Sequence, residues 1–158
     1  MKKKDYLLLA GSVLVSLAAG AIGSRFTTTG PGTWYELIEK PFFNPPGWIF
    51  GPVWTILYIL MGVALYLVLK QDWKKPEVFQ AVKIFFIQLG FNILWSYFFF
   101  GLKNPRLAFL EIIALLLAIV ATMIAFARVD KRAMKLLIPY LLWVLFASFL
   151  NYTIWQLN

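Results

Sequence analysis

The stretch GWIFGPVWTILYILMGVALYLVLK, residues 47–70, decides the fold of this chain. It contains no acid and a single base, Lys70, at its end. A helix needs about 20 predominantly apolar residues to cross the roughly 30 Å hydrocarbon core of a bilayer. The stretch therefore predicts a membrane-spanning helix, and the rest of the chain repeats the pattern.

Four further apolar stretches of similar length lie on either side, separated by short loops that carry most of the charge. Together the five predict spans over about residues 7–24, 47–70, 79–101, 105–127 and 134–157. Three lysines followed by the first apolar stretch resemble a signal peptide. Because the chain continues from this stretch into further spans, we expect a retained helix. We expect an all-α integral membrane protein, a single five-transmembrane-helix bundle over residues 1–158. Little of the chain is left for a soluble catalytic or DNA-binding domain.

The composition narrows the possible functions. Hydrophobic residues make up 61% of the chain and charged residues 14%, both far from the averages of soluble proteins. The net charge is +8, but the bases lie in membrane-edge loops, so we expect membrane lipid rather than nucleic acid as their partner. Cysteine and histidine are absent, which removes the thiol nucleophile, the commonest general base and the commonest metal ligands. We expect neither a metal site nor conventional acid–base catalysis.

The bases are distributed unevenly between the two sides of the predicted bundle. Eleven lie on the side that holds the N-terminus and the second and fourth loops, and four lie on the other side. The eleven are Lys2, Lys3, Lys4, Lys70, Lys74, Lys75, Lys83, Arg128, Lys131, Arg132 and Lys135. The positive-inside rule therefore predicts a cytoplasmic N-terminus.

Residues near the helix ends agree with these boundaries. Asn104 followed by Pro105 predicts a cap and a first-turn proline for the fourth helix, and Asp130 can cap the fifth. Pro139 lies inside the fifth span and predicts a kink there.

Glu111 is the only acid well inside a predicted span. We expect it to pair with Arg106 or Lys103 near the interface, with a proton relay as the alternative. One carboxylate without a partner acid or histidine is a poor catalytic site.

The longest loop, about residues 25–46, is rich in proline, glycine and aromatic residues. Because prolines restrict the backbone, this segment is not a floppy linker. Two interpretations stay open on the residues alone. The loop is either an interfacial segment with aromatic belt residues or a stiff lid over an apolar pocket.

Tryptophans and amides gather toward the side of the bundle that carries this loop. Amides are costly when they face lipid, so these should face the bundle interior, either as interhelical hydrogen bonds or as part of a pocket. Their convergence from three helices beneath a stiff loop favours a pocket. By helical spacing, the residues that share faces are Gln88, Asn92 and Trp95 in the third helix, Trp143, Ala147 and Asn151 in the fifth, and Trp54 and Tyr58 in the second.

The motifs in and around this loop are similar to those of one known family. The run WYELIEKP, residues 34–41, followed by NPPGWIFGPVW, residues 44–54, resembles the signature of the tryptophan-rich sensory protein family. This family is also called the translocator protein or peripheral benzodiazepine receptor family. Further matches are QLGFN at 88–92, LWS at 94–96, FFFG at 98–101, IPY at 138–140 with Trp143, and FA at 146–147 with LN at 150–151.

The resemblance implies five helices around a pocket beneath the first loop, which binds porphyrins such as protoporphyrin IX and other flat hydrophobic ligands. It implies no resident cofactor, since porphyrin is the ligand, and it implies a homodimer. Some bacterial members degrade protoporphyrin in light, and Trp54 and Trp143 match the tryptophans linked to that activity. The expected ligand-binding residues are Tyr35, Trp54, Tyr58, Gln88, Asn92, Trp95, Trp143, Ala147 and Asn151, of which Tyr58 and Gln88 come from the shared helix faces.

The chain departs from animal members at the end of the fifth helix. Their cholesterol motif needs an aromatic residue followed by a base, whereas here Gln156 takes the place of the base and no base follows Tyr140 or Tyr152. We therefore do not expect high-affinity cholesterol binding, and a prokaryotic cell membrane is the expected location.

The leading hypothesis is a porphyrin-binding membrane protein that acts in tetrapyrrole sensing, transport or clearance. A light- and oxygen-dependent porphyrin-degrading enzyme is one alternative. A structural or interaction protein without a small-molecule ligand is the other.

Overall fold

A computed structural model describes residues 3–158, so Lys2, one of the bases counted above, lies outside the described residues. Within that range the regular elements are all helices, and five are long and apolar enough to cross a membrane. This confirms the predicted all-α, five-helix membrane architecture. The helices are α1 (Lys3–Ser24), the short α2 (Trp34–Leu37), α3 (Gly47–Leu69), α4 (Pro76–Ser96), α5 (Pro105–Val129), α6 (Lys131–Leu136) and α7 (Ile138–Leu157).

The first, third and fifth spans begin three or four residues before the predicted positions, because hydropathy marks only the apolar part of a helix that continues into the interface. The predicted caps are present. The side chain of Asn104 accepts a hydrogen bond from the Leu107 N–H at 3.0 Å. The side chain of Asp130 accepts one from the Arg132 N–H at 2.8 Å.

The fifth span is interrupted near its predicted kink. Helix α6 ends at Leu136, and α7 begins at Ile138 with Pro139 in its first turn. Proline has no N–H to donate to the preceding turn, so the helical hydrogen bonding is interrupted just before it. The chain resumes as a helix when Leu141 donates to the carbonyl of Leu137 at 3.0 Å.

Helices α1 and α3 approach one another closely through small residues. Ser12 and Ser16 of α1 are buried, and a Cβ atom placed on Gly62 of α3 would lie only 2.4 Å from the Val13 Cα. Small side chains let membrane helices bring their backbones into contact. Helices α1 and α3 therefore pack directly against one another within the bundle.

Helix α4 ends in a five-residue π-helical turn, Tyr97–Gly101. Leu102 closes it by donating to the Tyr97 carbonyl at 2.8 Å. Such turns insert one extra residue into a helix and often mark functional sites. Here the turn buries Phe99 and Phe100 beneath the first loop, where the ring of Phe100 lies 5.5 Å from that of Tyr35.

Candidate ligand-binding site

A cavity of about 110 Å³ lies between α1, α3 and α4. On its wall Trp54 stacks against Tyr58, with the ring centres 5.6 Å apart and the planes inclined by 30°. The remaining wall combines aromatic rings with glycines and hydroxyl groups, and aromatic faces next to hydroxyls suit a flat apolar ligand with a few polar atoms. Its lining residues are Gly20, Gly23, Ser24, Thr27, Phe50, Trp54, Tyr58, Trp95, Ser96 and Phe100.

A smaller cavity of about 20 Å³ lies directly beneath α2, between α3, α4 and α7. It is almost entirely apolar, and Asn151 and Tyr35 bring the main polar atoms near it. Its lining residues are Tyr35, Phe50, Trp95, Phe99, Phe100, Ala147, Leu150, Asn151 and Ile154.

Three aromatic residues, Phe50, Trp95 and Phe100, line both cavities and form the wall between them. Trp95 stacks on Phe99 at 5.4 Å, and its Nε1 donates to Asn151 Oδ1 at 3.0 Å. Trp95 is thereby fixed to α7, whereas Phe50 is partly buried and has no polar side-chain atom that could hydrogen-bond.

Six of the predicted ligand-binding residues border these cavities. Trp54 and Tyr58 line the larger one, Trp95 lines both, and the smaller one is lined by Tyr35, Ala147 and Asn151.

Gln88, Asn92 and Trp143 line neither of the two cavities. Trp143 lies behind Phe50, with their ring centres 6.1 Å apart. Its Nε1 is buried and has no hydrogen-bond partner among residues 3–158.

A buried polar network connects α3, α4 and α7. The hydroxyl of Tyr58 donates to Asn92 Oδ1, and Asn92 Nδ2 donates to the Tyr140 hydroxyl at 3.0 Å. Tyr140 in turn donates to Gln88 Oε1 at 3.0 Å. The two amides therefore act as interhelical hydrogen-bonding groups in this structure. The network reaches the larger cavity through Tyr58.

The first loop is ordered over the smaller cavity by its own polar contacts. The hydroxyl of Tyr35 donates to Asn44 Oδ1 at 2.8 Å. Lys40 Nζ donates to three carbonyl oxygens around the end of α2, including those of Tyr35 at 2.7 Å and Ile38 at 2.8 Å. Burial raises the pKa of Tyr35, and its hydrogen bond to Asn44 acts in the opposite direction. The Tyr35 hydroxyl is therefore neutral at physiological pH and acts as a donor.

The predicted pairing of Glu111 with Arg106 or Lys103 is wrong. Glu111 is 7% exposed, and neither carboxyl oxygen has a hydrogen-bond partner among residues 3–158. Five residues separate it from Arg106, which places the two side chains about 140° apart around an α-helix. Arg106 instead lies over the ring of Trp155, with its guanidinium carbon 5.9 Å from the ring centre.

Sequence reasoning did not find the part of the site contributed by α1. Gly20 and Ser24 of α1 line the larger cavity, and neither residue type is by itself a sequence signal for ligand binding. The sequence reasoning also missed Phe50, although this residue lies one helical turn before Trp54 and therefore on the same helix face.

The geometry defines a class of protein: a five-helix membrane protein with aromatic cavities beneath an ordered loop. Comparison with known proteins gives the family. The TspO/MBR family model matches residues 12–156, so the chain belongs to the TspO/MBR family.

Curated relatives agree with this assignment. The chain is 51% identical over 155 residues to the tryptophan-rich protein TspO of Chlorobaculum tepidum, covering 98% of both chains. It is 47% identical over 154 residues to the tryptophan-rich protein TspO of Archaeoglobus fulgidus, covering 98% of this chain and 99% of the relative. The translocator protein of Homo sapiens is 36% identical over 142 residues, covering 87% of this chain and 82% of the relative.

Proposed function

We propose that the two cavities together bind a porphyrin of the protoporphyrin IX type, or a similar flat hydrophobic ligand. The observation that carries this proposal is the shared wall of Phe50, Trp95 and Phe100 between two aromatic cavities. Rings on both sides of a slot can stack on the two faces of one flat molecule.

Binding requires the shared wall to move. Pockets for drug-sized ligands enclose about 300–1,000 Å³, whereas the two cavities measure about 110 and 20 Å³. Phe50 is the side chain best placed to turn, because it is only partly buried, whereas Phe100 is buried and Trp95 has a hydrogen bond to α7. Rotation of Phe50 would join the cavities into one chamber that extends from α1 to α7.

The polar groups around this chamber suit a metal-free ligand. Tyr58, Ser96, Thr27 and Asn151 offer hydroxyl and amide groups to ring nitrogens or carboxylates. The chain has no histidine to ligate iron. We therefore expect metal-free protoporphyrin to bind at least as tightly as haem.

The test is quenching of tryptophan fluorescence when protoporphyrin IX is added to the purified full chain, followed by the same titration with haem. Saturable quenching with protoporphyrin at least as tight as haem supports the proposal. No saturable quenching with either would favour a membrane protein without a small-molecule ligand. Markedly tighter haem binding would contradict the proposed recognition.

Photo-oxidative degradation is a second candidate, favoured by the position of Trp54 on the larger cavity and of Trp143 behind Phe50. A bound porphyrin is itself the photosensitiser, with dissolved oxygen as the oxidant, so the protein only has to place oxidisable indoles beside it. Loss of porphyrin absorbance under illumination in air, but not without oxygen, would distinguish this activity from inert binding.

The cellular role that we propose is tetrapyrrole sensing, transport or clearance, in a prokaryotic cell membrane with the N-terminus cytoplasmic. Relatives bear the names tryptophan-rich sensory protein and translocator protein, which supports a sensory or transport role. The family resemblance also supports a homodimer.

A further inference from the structure

A groove on the opposite side of the bundle from the first loop runs between α4 and α5. One cavity of about 220 Å³ lies along the two helices, and a second of about 410 Å³ lies at their ends. Glu77 and Arg128 line both cavities and so mark their junction. Neither is part of the ligand site described above.

The junction presents both signs of charge at the membrane edge. Glu77 is in the first turn of α4, and Arg128 is in the last turn of α5. Within residues 3–158 the ion pair of the structure joins Arg132 to Asp130, so Glu77 and Arg128 are not bridged to one another. Both side chains are exposed, and both are available to a ligand that carries complementary charges.

The groove becomes apolar as it descends into the membrane. Ile84 and Ala121 each lie seven residues from the charged end of their helix, which is about 10 Å along the axis. Ala121 and Ala125 are one turn apart on α5 and leave room between the helices, with Ile124 beside them. The groove thus continues from the depth of lipid headgroups to the depth of acyl chains.

We propose that this groove binds one phospholipid with an ethanolamine headgroup. Arg128 would bind the phosphate together with Lys75, which also lines the cavity at the helix ends. Glu77 would accept hydrogen bonds from the primary ammonium group, and an acyl chain would lie along Ile84 and Ala121. A choline headgroup has no N–H to donate to Glu77. A headgroup with only negative charge would be repelled by that carboxylate.

Native mass spectrometry of the full chain in detergent, with phosphatidylethanolamine and phosphatidylcholine of identical acyl chains added in equal amounts, tests the proposal. We expect the ethanolamine lipid to be retained about fivefold over the choline lipid, the discrimination available from one exposed charge pair. Glu77→Gln keeps an amide oxygen but loses the negative charge, so it should clearly reduce this preference while both lipids still bind. Arg128→Gln should lower the retention of both.

Asp72→Asn and Lys131→Gln are matched controls, because they remove the same charges at exposed positions on the same side, outside the groove. Both should keep the parent preference. Equal retention of the two lipids by the parent, or an unchanged preference in Glu77→Gln, would overturn the proposal.

Two further experiments test whether a lipid, rather than a soluble phosphate or a second copy of the chain, occupies the groove. Free phosphoethanolamine at the lipid's concentration should not displace bound lipid, since it lacks the acyl chain, and complete displacement would refute a lipid site. Ala121→Cys introduces a single cysteine into a chain that has none. Efficient disulfide-linked dimers of this variant in vesicles would show that a second copy covers the groove, and would also overturn the proposal.

Discussion

Asn158 and Glu39 exchange two hydrogen bonds that fasten the first loop to the end of α7. The Asn158 Oδ1 accepts from the Glu39 N–H at 3.0 Å, and the Asn158 Nδ2 donates to the Glu39 carbonyl at 3.0 Å. Nearby, Phe43 of the loop stacks on Phe149 of α7 with ring centres 5.2 Å apart. The loop that covers the smaller cavity is therefore held at two points on one helix.

Asn158→Ala should loosen the loop. Each of the two lost hydrogen bonds contributes about 1 kcal/mol, so the equilibrium constant between the closed and the open loop should shift toward the open loop by up to about thirtyfold. Limited proteolysis should cut the loop faster in this variant, and bound porphyrin should slow cleavage of the parent. Gln156→Ala changes an exposed neighbouring side chain and should behave as the parent. Equal cleavage of all three proteins, with or without ligand, would refute the loop's role as a lid.

Gly62→Ala should destabilise the bundle by about 1–3 kcal/mol, the usual cost of overpacking. The added Cβ would lie 2.4 Å from the Val13 Cα and 2.9 Å from the Ser12 carbonyl oxygen, and both of these neighbours are backbone. Gly90→Ala, on α4, has open space at its Cβ and should be neutral or stabilising by up to about 1 kcal/mol. Unfolding of both variants in mixed detergent micelles checks the difference. Equal stability of the two would show that α1 and α3 are not in close contact.

The cytoplasmic N-terminus that we propose rests on the bias of eleven bases against four. Single cysteines at Lys3 and Thr29 report it, because the parent has no cysteine to interfere. A membrane-impermeant thiol reagent added to intact cells should label position 29 and leave position 3 unlabelled. The reverse pattern would show that the N-terminus is outside.

Trp54→Phe and Trp143→Phe separate binding from photochemistry. Phenylalanine keeps an aromatic face, so the binding free energy should weaken by only about 0.5–1.5 kcal/mol. Light-driven porphyrin loss that depends on indole oxidation should fall much further, as measured by absorbance in air. Degradation at the parent rate in both variants would exclude the two indoles from the reaction.

The parts of the structure that the sequence predicted are those governed by local signals. The five spans follow from hydropathy over about 20 residues, and the caps at Asn104 and Asp130 follow from side chains that bond within the next turn. The predicted residues Trp54 and Trp95 likewise line the cavities, because helical spacing determines which side chains share a helix face.

The parts that were missed depend on which helix lies beside which. The contribution of α1 to the larger cavity, and the pairing of Asn92 with Tyr58 and Tyr140, require the packed arrangement of the bundle. The π-helical turn at Tyr97–Gly101 rotates Phe99 and Phe100 relative to their positions in a regular helix. The spacing of a regular α-helix therefore assigns these two side chains to the wrong helix face.

Filling the larger cavity tests the central claim most directly. Gly23 lines that cavity, and a Cβ there would lie 3.4 Å from the Ser96 hydroxyl, so Gly23→Leu should extend into the space proposed for the ligand. Gly11→Leu places the same side chain on the same helix at a position with no neighbour within 4 Å. We predict that Gly23→Leu raises the Kd for protoporphyrin IX by about tenfold or more, the effect of about 1.4 kcal/mol of overpacking, whereas Gly11→Leu keeps the parent value. Unchanged affinity in a folded Gly23→Leu variant would contradict the account.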